Sequence, residues 1–450
     1  TLRFAGDVFM YIEWTAAFAL MLGMTISLIA LGIPVAFAFL CANLVGVFLF
    51  MGGEVGFSQL VYNATSILSN FALMPVPLFL IMGELFFHTG LGQRTFNAID
   101  KLLGRLPGRL SFVTVGGGTV FAALSGSSIA STALLGSLMI PEMTKRGYKN
   151  RLSIGPILGV GGLAILIPPS ALAVLLGTLA QIDIGSLLLA GIIPGLILAS
   201  FYAIFIVVSI YFDPDSAPAY DVSPTPLREK IRLVVRDILP MGFIIFLVVG
   251  LIILGWATPT ESAAFGVLGV LILAACYGCL SFDAILKSFL GGTRVTIVMF
   301  MIILGSATFS KVLAFSGSTI GMLDWVSTLS LQPMSALFMM IIVMLMFGAF
   351  MDQMSIMMLT LPVFVPLAAL YGFNPVWFGV IMLLALEMSL TMPPMGLLLF
   401  VMKGVAPSGT PFQEIWLAAL PFMACAMILL IILIIFPEIT LWLPNFSKSF

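Results

Sequence analysis

The stretch that decides the fold is FAALSGSSIASTALLGSLMIPEM, residues 121–143. It is apolar enough to lie within a membrane, yet its centre reads Gly126-Ser127-Ser128. Glycine and serine are favoured at helix ends and weaken helix interiors. The sequence therefore predicts that one helix ends and another begins at this tripeptide.

The composition of the whole chain is that of a membrane protein. Of 450 residues, 61% are hydrophobic and 8% are charged, whereas about a quarter of a typical soluble domain is charged. No acid or base lies between Glu13 and Glu54, an interval longer than the roughly 20 residues of a spanning helix. The alternating segments of a β-barrel are not visible. We therefore predict an all-α polytopic membrane protein, and the net charge of −1 argues against a nucleic-acid partner.

Basic residues flank the opening stretch on both sides, which places both flanks in the cytoplasm because cytoplasmic loops are enriched in Lys and Arg. Those before it are Arg94, Lys101, Arg105 and Arg109, and those after it are Lys145, Arg146, Lys149 and Arg151. Only 32 residues separate Arg109 from Glu142, and two full spans need about 40. We therefore predict a re-entrant helical hairpin whose tip is Gly126-Ser127-Ser128.

Glycines and prolines recur at a nearly constant offset, which indicates an internal repeat. Gly126 pairs with Gly348 at 222 residues, and Pro168 pairs with Pro393 at 225. The second hairpin lacks basic flanks and is expected to enter from the opposite face. Inverted repeats with broken helices are typical of secondary transporters.

The predicted organisation is a first repeat (1–212), a cytoplasmic linker (213–237) and a second repeat (238–450). The first repeat comprises scaffold and arm helices (14–110), a hairpin (111–144) and a broken helix (152–178). The second comprises scaffold and arm helices (238–313), a hairpin (333–370) and a broken helix (376–402). Two amphipathic stretches, 54–70 and 281–292, are expected to lie along the membrane surface.

Doubled prolines are expected to expose backbone oxygens in both broken helices. Pro168 and Pro169 have no N–H groups, which leaves the carbonyls of Ala164 and Ile165 without helical donors beside Ser170. Pro393 and Pro394 are expected to do the same to the carbonyls of Ser389 and Leu390, beside Thr391. Hard cations prefer such oxygen donors. One hairpin tip and one broken helix per repeat therefore predict two related cation sites.

An anion is expected to lie between these sites, held by free N–H groups at the N-termini of half-helices. Only Lys311 comes near to being a basic residue inside a span, so an arginine clamp is not expected. Structural roles remain the alternatives: a simple kink for the prolines, close helix packing for Ser127 and Ser128, and a structural acid for Asp352. The acids Glu84, Glu261 and Glu387 are assigned to structural hydrogen bonding.

Five motifs resemble the large membrane (M) subunit of tripartite ATP-independent periplasmic (TRAP) transporters. They are FAALSGSSIASTALLGSLMIPEMTKRGY, LIPPS, WATPTESAAFGVLG, FMD and MPPMG, and the likeness runs from about residue 14 to 440. The resemblance implies a sodium-driven importer of small organic anions in the bacterial inner membrane, working by an elevator motion. It also implies two protein partners, a small four-helix membrane subunit (Q) and a soluble periplasmic substrate-binding protein (P).

The resemblance implies one sodium site at Gly126–Ser128 with Pro168–Ser170, and another at Gly348–Asp352 with Thr391–Gly396. Together with the carbonyls expected from the doubled prolines, it gives the following site residues. The first Na⁺ site comprises Gly126, Ser127, Ser128, Ala164, Ile165 and Ser170. The second comprises Gly348, Met351, Asp352, Ser389, Thr391 and Met392. Substrate contacts are assigned to Ser128, Ser170, Thr391 and Met395. Where the family often has TPP, this chain has TMPP, which weakens the side-chain assignments in the second site.

There are three alternative functions. A sodium- or proton-coupled anion symporter of the same superfamily would need no binding protein. An intramembrane enzyme is disfavoured because the chain has one histidine, no HExxH motif and no paired carboxylates at catalytic spacing. A passive channel would show no requirement for a sodium gradient. Dicarboxylates, sialic acids, sugar acids and sulfonates all remain possible substrates.

Overall fold

A computed structural model describes residues 12–104, 106–218, 226–393, 396–407 and 409–447. Within these ranges every regular element is helical and there is no strand. The first ten helices are α1 Trp14–Ala30, α2 Val35–Phe50, α3 Glu54–Leu68, α4 Pro75–His88, α5 Leu91–Leu103, α6 Arg109–Ser125, α7 Ser128–Lys145, α8 Asn150–Leu166, α9 Ala171–Leu179 and α10 Ile184–Phe212.

The other ten are α11 Leu227–Ile253, α12 Pro259–Cys276, α13 Phe282–Phe315, α14 Ser318–Thr328, α15 Pro333–Gly348, α16 Gln353–Leu370, α17 Pro375–Ser389, α18 Leu397–Val405, α19 Phe412–Ile435 and α20 Glu438–Ser447. In the described residues, seven helices are long and apolar enough to cross a membrane, or eight if the bent pair α8 and α9 forms one span. The prediction of an all-α, multi-pass membrane protein is confirmed.

The order of elements repeats along the chain, as the glycine and proline offsets predict. The elements from α2 to α10 comprise a helix, an arm, a short helix, a hairpin (α6 and α7), a broken helix (α8 and α9) and a long helix. The elements from α12 to α19 follow the same order, with the second hairpin at α15 and α16 and the second broken helix at α17 and α18. Two hairpins and two broken helices are therefore present.

Two local boundaries differ from the sequence prediction. The stretch 281–292 does not end as a separate helix, because α13 runs unbroken for 34 residues through Gly291 and Gly292. Its counterpart α3 does end at Leu68, and Pro75 then begins α4. Helix α11 begins at Leu227 rather than at 238, so its first turns extend beyond the apolar span.

The chain forms two compact units, each held by its own polar contacts. Unit 1 comprises the residues up to Phe71, Arg294–Met344 and Met354–Pro375. In it, the Asn43 side-chain amide donates to the Gly305 carbonyl at 2.7 Å, and Lys311 donates to Asn63. The basic residue nearest a span is thus bonded to an amide side chain.

Unit 2 comprises Ala72–Thr293, Leu345–Gln353 and the residues from Val376 onward. Helix α8 is its core, since every residue from Leu152 to Leu166 is buried. Small residues let neighbouring helices approach α8 closely: a Cβ built on Gly155 would lie 2.5 Å from the Phe422 ring. Both hairpin tips and the breaks of both broken helices belong to this unit.

Candidate transport site

The first hairpin breaks at the predicted tripeptide. Helix α6 ends at Gly126, which has φ +60°, and Ser127 is the extended residue that caps α7. The Ser127 side-chain oxygen accepts from the Ala130 N–H at 3.3 Å. Each helix has 17 or 18 residues and is about 25 Å long, so both are longer than the half-spans expected from the sequence.

The tip of this hairpin lies against the break in the first broken helix. Helices α8 and α9 meet at 41°, and Ser170 caps α9 by accepting from the Ala173 N–H at 3.2 Å. A Cβ built on Gly126 would lie 3.5 Å from the Pro169 carbonyl oxygen. The structure thus brings Gly126 next to the double proline. The carbonyls of Ala164 and Ile165, four residues before the two prolines, have no i+4 N–H to accept from.

Thr132 is a polar residue of this site that the sequence analysis missed. It lies one turn after Ser128 on α7 and is fully buried, and its hydroxyl has no hydrogen-bond partner among the described residues. A Cβ built on Gly161 would lie 2.1 Å from the Thr132 hydroxyl and 3.4 Å from the Ser128 carbonyl oxygen. Only glycine allows this approach. The four-residue spacing from Ser128 was the available signal.

The second hairpin breaks between Gly348 and Gln353. The Phe347 carbonyl accepts from the N–H groups of Phe350 and Met351, both at 2.9 Å, and the partly exposed Asp352 directly precedes α16. A Cβ built on Gly348 would lie 2.2 Å from the Ser389 Cβ and 2.7 Å from the Ser389 carbonyl oxygen. The start of this break therefore packs on the end of α17, as the first tip packs on the double proline.

The hydroxyls at the second break are oriented by the helix end beside them. The Ser389 hydroxyl donates to the Leu386 carbonyl at 2.7 Å, and the Thr391 hydroxyl donates to the Met388 carbonyl at 3.1 Å. A hydroxyl has one donor hydrogen and two acceptor lone pairs. Both oxygens therefore keep lone pairs that could ligate a cation, and they lie beside the backbone of Met392.

The backbone carbonyls of this break accept more hydrogen bonds than the sequence predicts. The Ser389 carbonyl accepts from the Met392 N–H at 3.1 Å, and the Leu390 carbonyl accepts from the Leu398 N–H at 3.2 Å. The expectation that the prolines leave both carbonyls without a donor is wrong, because a tight turn and a fold-back of the chain supply donors. Two assigned positions, Pro394 and the predicted substrate contact Met395, lie outside the described residues.

Glu387 is the second polar residue that the sequence analysis did not assign to the site. It is 4% exposed, and one of its carboxyl oxygens has no partner among the described residues. The carboxyl packs on α8, since a Cβ built on Gly162 would lie 2.4 Å from its other oxygen. A cavity of about 20 Å³ beside it is lined by Tyr202 and Thr391 among apolar side chains. That volume holds about one water.

Two adjacent glycines of α8 join the two halves of the site. Gly161 lies against Thr132 and Ser128 of the first hairpin, and a Cβ built on it would also lie 3.4 Å from the Leu398 side chain in the second broken helix. Gly162 lies against Glu387. Residues of both halves, Thr132 and Ser128 from the first and Glu387 and Leu398 from the second, therefore pack on one buried helix. In the described residues no cluster of three or more His, Cys, Asp or Glu side chains could hold a metal, so any cation here relies on hydroxyls, carbonyls and single carboxylates.

Comparisons with known proteins agree with this architecture. The family described as "Tripartite ATP-independent periplasmic transporter, DctM component" matches residues 22–439. The chain is 32% identical to the C4-dicarboxylate TRAP transporter large permease protein DctM of Pseudomonas aeruginosa, over 84% of this chain and 87% of the relative. It is 29% identical to the sialic acid TRAP transporter large permease protein SiaM of Vibrio cholerae, over 93% and 96%.

Among solved structures, the chain is similar to the YdaH transporter of Alcanivorax borkumensis. The TM-score is 0.61 at 12% identity, over 86% of this chain and 87% of that one. At this identity the likeness concerns the fold alone. It shows that a solved transporter shares the arrangement of helices.

Proposed function

Because the chain belongs to the DctM component family of tripartite ATP-independent periplasmic transporters, we propose that it is the large subunit of a sodium-driven importer of small organic anions. The observation that carries the proposal is the pairing of each hairpin break with a broken helix: Gly126 with Pro169, and Gly348 with Ser389. Each pairing gathers oxygen donors without a basic residue. Such sites suit a small hard cation.

Sodium is proposed as the coupling ion at both breaks. The first site would use the Ala164 and Ile165 carbonyls, the Ser128 and Ser170 region and, we add, the Thr132 hydroxyl. The second would use Asp352 with the Ser389 and Thr391 oxygens, whose protons already point to backbone carbonyls. The Phe347 carbonyl accepts two backbone hydrogen bonds, which stabilise the turn leading to Met351 and Asp352.

An organic anion is the proposed substrate. The relatives are named for a C4-dicarboxylate and for sialic acid, and both of these carry carboxylates. The N-termini of α7 and α9, next to Ser128 and Ser170, offer backbone N–H groups that suit a carboxylate. Bound cations would supply the positive charge for the substrate carboxylate.

The family name implies further components, and we propose two partners: a small four-helix membrane subunit and a soluble periplasmic substrate-binding protein. We place the assembly in the bacterial inner membrane, and we propose an elevator motion in which hairpins and broken helices carry the substrate. The bend of 41° between α8 and α9 puts the break inside the span, where a carried site would lie.

Reconstituted transport tests the proposal. The chain is co-reconstituted with the small subunit, and uptake of labelled dicarboxylate or sialic acid is measured with and without the binding protein and an inward sodium gradient. Uptake is expected only with all components and the gradient. Full uptake without the binding protein would support the self-sufficient symporter, and uptake without any gradient would support a channel.

Sodium-dependent thermal stabilisation of the purified chain tests the sites directly. We expect Na⁺ to raise the unfolding midpoint of the wild type relative to K⁺, and Ser128→Ala and Asp352→Ala to reduce this shift. Ser200→Ala is the matched control, because its exposed hydroxyl bonds only its own helix. An undiminished shift in both site variants would show that the cation sites are elsewhere.

A further inference from the structure

The N-terminal turns of α11 carry arginines that have no acidic partner within the ranges that the structure describes. Arg228, Arg232 and Arg236 are spaced by four residues and are exposed, so they form one stripe along the helix. The two nearby acids are engaged elsewhere: Asp237 pairs with Arg94 at 2.5 Å, and Glu229 lies 3.5 Å from Lys101. The stripe is therefore an uncompensated positive surface among the described residues.

A row of exposed apolar side chains runs beside this stripe. Ile231, Val235, Leu239 and Phe243 are 56 to 58% exposed and follow each other at four-residue intervals. Arg232 directly follows Ile231, and Arg236 directly follows Val235. Each arginine therefore lies about 100° around the helix from the apolar residue before it. The apolar row continues past Arg236, the last of the three arginines, to Leu239 and Phe243.

The level of the membrane surface is marked by a neighbouring helix. The Tyr277 hydroxyl donates to the Arg236 carbonyl, and Tyr277 is the first residue after the apolar helix α12. Tyrosine is enriched at membrane interfaces. The 17 residues from Asp237 to Ile253 measure about 25 Å, which approaches the roughly 30 Å of the hydrocarbon layer. Arg236 and Arg232 therefore lie at headgroup depth, and Leu239 and Phe243 of the apolar row lie below them, towards the hydrocarbon layer.

We propose that Arg232 and Arg236, with Arg228, form a binding site for the phosphate headgroup of an anionic glycerophospholipid whose acyl chains cover Val235, Leu239 and Phe243. Guanidinium groups bind phosphate oxygens through paired hydrogen bonds. Charge complementarity selects an anionic lipid over a zwitterionic one, and the apolar row selects a lipid over free phosphate. The proposal does not depend on the transported substrate or on the coupling ion.

Lipid binding to the full chain in detergent provides the test, with native mass spectrometry counting bound phosphatidylglycerol against phosphatidylcholine. Since each basic residue near the surface contributes about 1 kcal/mol, Arg232→Gln/Arg236→Gln is expected to weaken phosphatidylglycerol binding by about tenfold or more. The control Lys230→Gln/Lys145→Gln removes the same charge, from the other side of α11 and from the end of α7, and should leave binding within about twofold.

Three outcomes would overturn the proposal. Equal losses in the two double variants would show a diffuse charge effect, and glycerol phosphate competing as well as the lipid would show a free-phosphate site. A double variant that keeps its lipid but loses the small membrane subunit on copurification would show that the surface is a subunit contact. Matching thermal unfolding midpoints without lipid would confirm that both variants are folded.

Discussion

Each half of the candidate site consists of a hairpin break packed on a broken helix, but the polar groups of the two halves differ. The proposed ligands of the first break are all neutral, and its capping hydroxyl Ser170 accepts a hydrogen bond from the backbone. The second has the carboxylate of Asp352, and its hydroxyls at Ser389 and Thr391 donate to the backbone. The two repeats therefore share their helix breaks and differ in the polarity of the hydroxyls at those breaks. Under the proposed function, the second half would be the better cation ligand, and the first would keep hydroxyl protons for an anion.

The substitution of Asp352 should distinguish the two halves most strongly. Asp352→Asn is expected to lower the apparent Na⁺ affinity of uptake by about 10- to 100-fold, because interactions of a charged group contribute about 1.5–3 kcal/mol. Ser128→Ala should lower the affinity by only about fivefold, since a neutral hydrogen-bonding group contributes about 1 kcal/mol. Sodium titrations of uptake measure both. Equal effects would contradict the assignment of the stronger site to the second hairpin.

The two glycines at the breaks provide the next comparison. In Gly348→Ala the new Cβ would meet the Ser389 backbone, which cannot move aside as a side chain can, so a loss of about 1–3 kcal/mol is expected. In Gly126→Ala the new Cβ would come no closer than 3.5 Å to a neighbouring atom. Its expected loss of stability, about 1 kcal/mol, comes instead from the backbone φ of +60°. Unfolding midpoints in detergent should rank Gly348→Ala below Gly126→Ala, and the reverse order would contradict the close packing.

Local signals predicted most of this fold. Basic flanks and a short interval predicted the first hairpin, and the recurrence of glycine and proline predicted the second hairpin together with both broken helices. Thr132 and Glu387 were missed because their importance depends on which helix packs on them. Their closest neighbours, Gly161 and Gly162, are distant in sequence. The Leu390 carbonyl was assigned wrongly for a related reason, since its donor is on the far side of the proline break.

The contrast in hydroxyl orientation predicts opposite behaviour for two serine variants. Ser170→Ala removes a helix cap and should cost about 1 kcal/mol of stability without sodium. Ser389→Ala removes a donor that lies within its own helix, so it should cost less stability but should reduce the stabilisation by Na⁺. Unfolding midpoints with Na⁺ and with K⁺ distinguish the two. If both variants lose the same amount of stability without sodium, the proposed difference between the two halves is contradicted.

The smallest effect is expected at Thr132, whose buried hydroxyl has no hydrogen-bond partner in the part of the chain that the structure describes. Thr132→Val keeps the shape of the side chain and removes only the hydroxyl, so stability without sodium should change by less than about 0.5 kcal/mol or should rise. Thr114→Val in the same hairpin removes a hydroxyl that bonds the Leu110 carbonyl at 2.8 Å, and it should not affect sodium binding. If the Thr132 hydroxyl is a ligand of the first site, Thr132→Val alone will reduce the sodium-induced shift. Equal shifts in both variants would show that this hydroxyl has only a packing role.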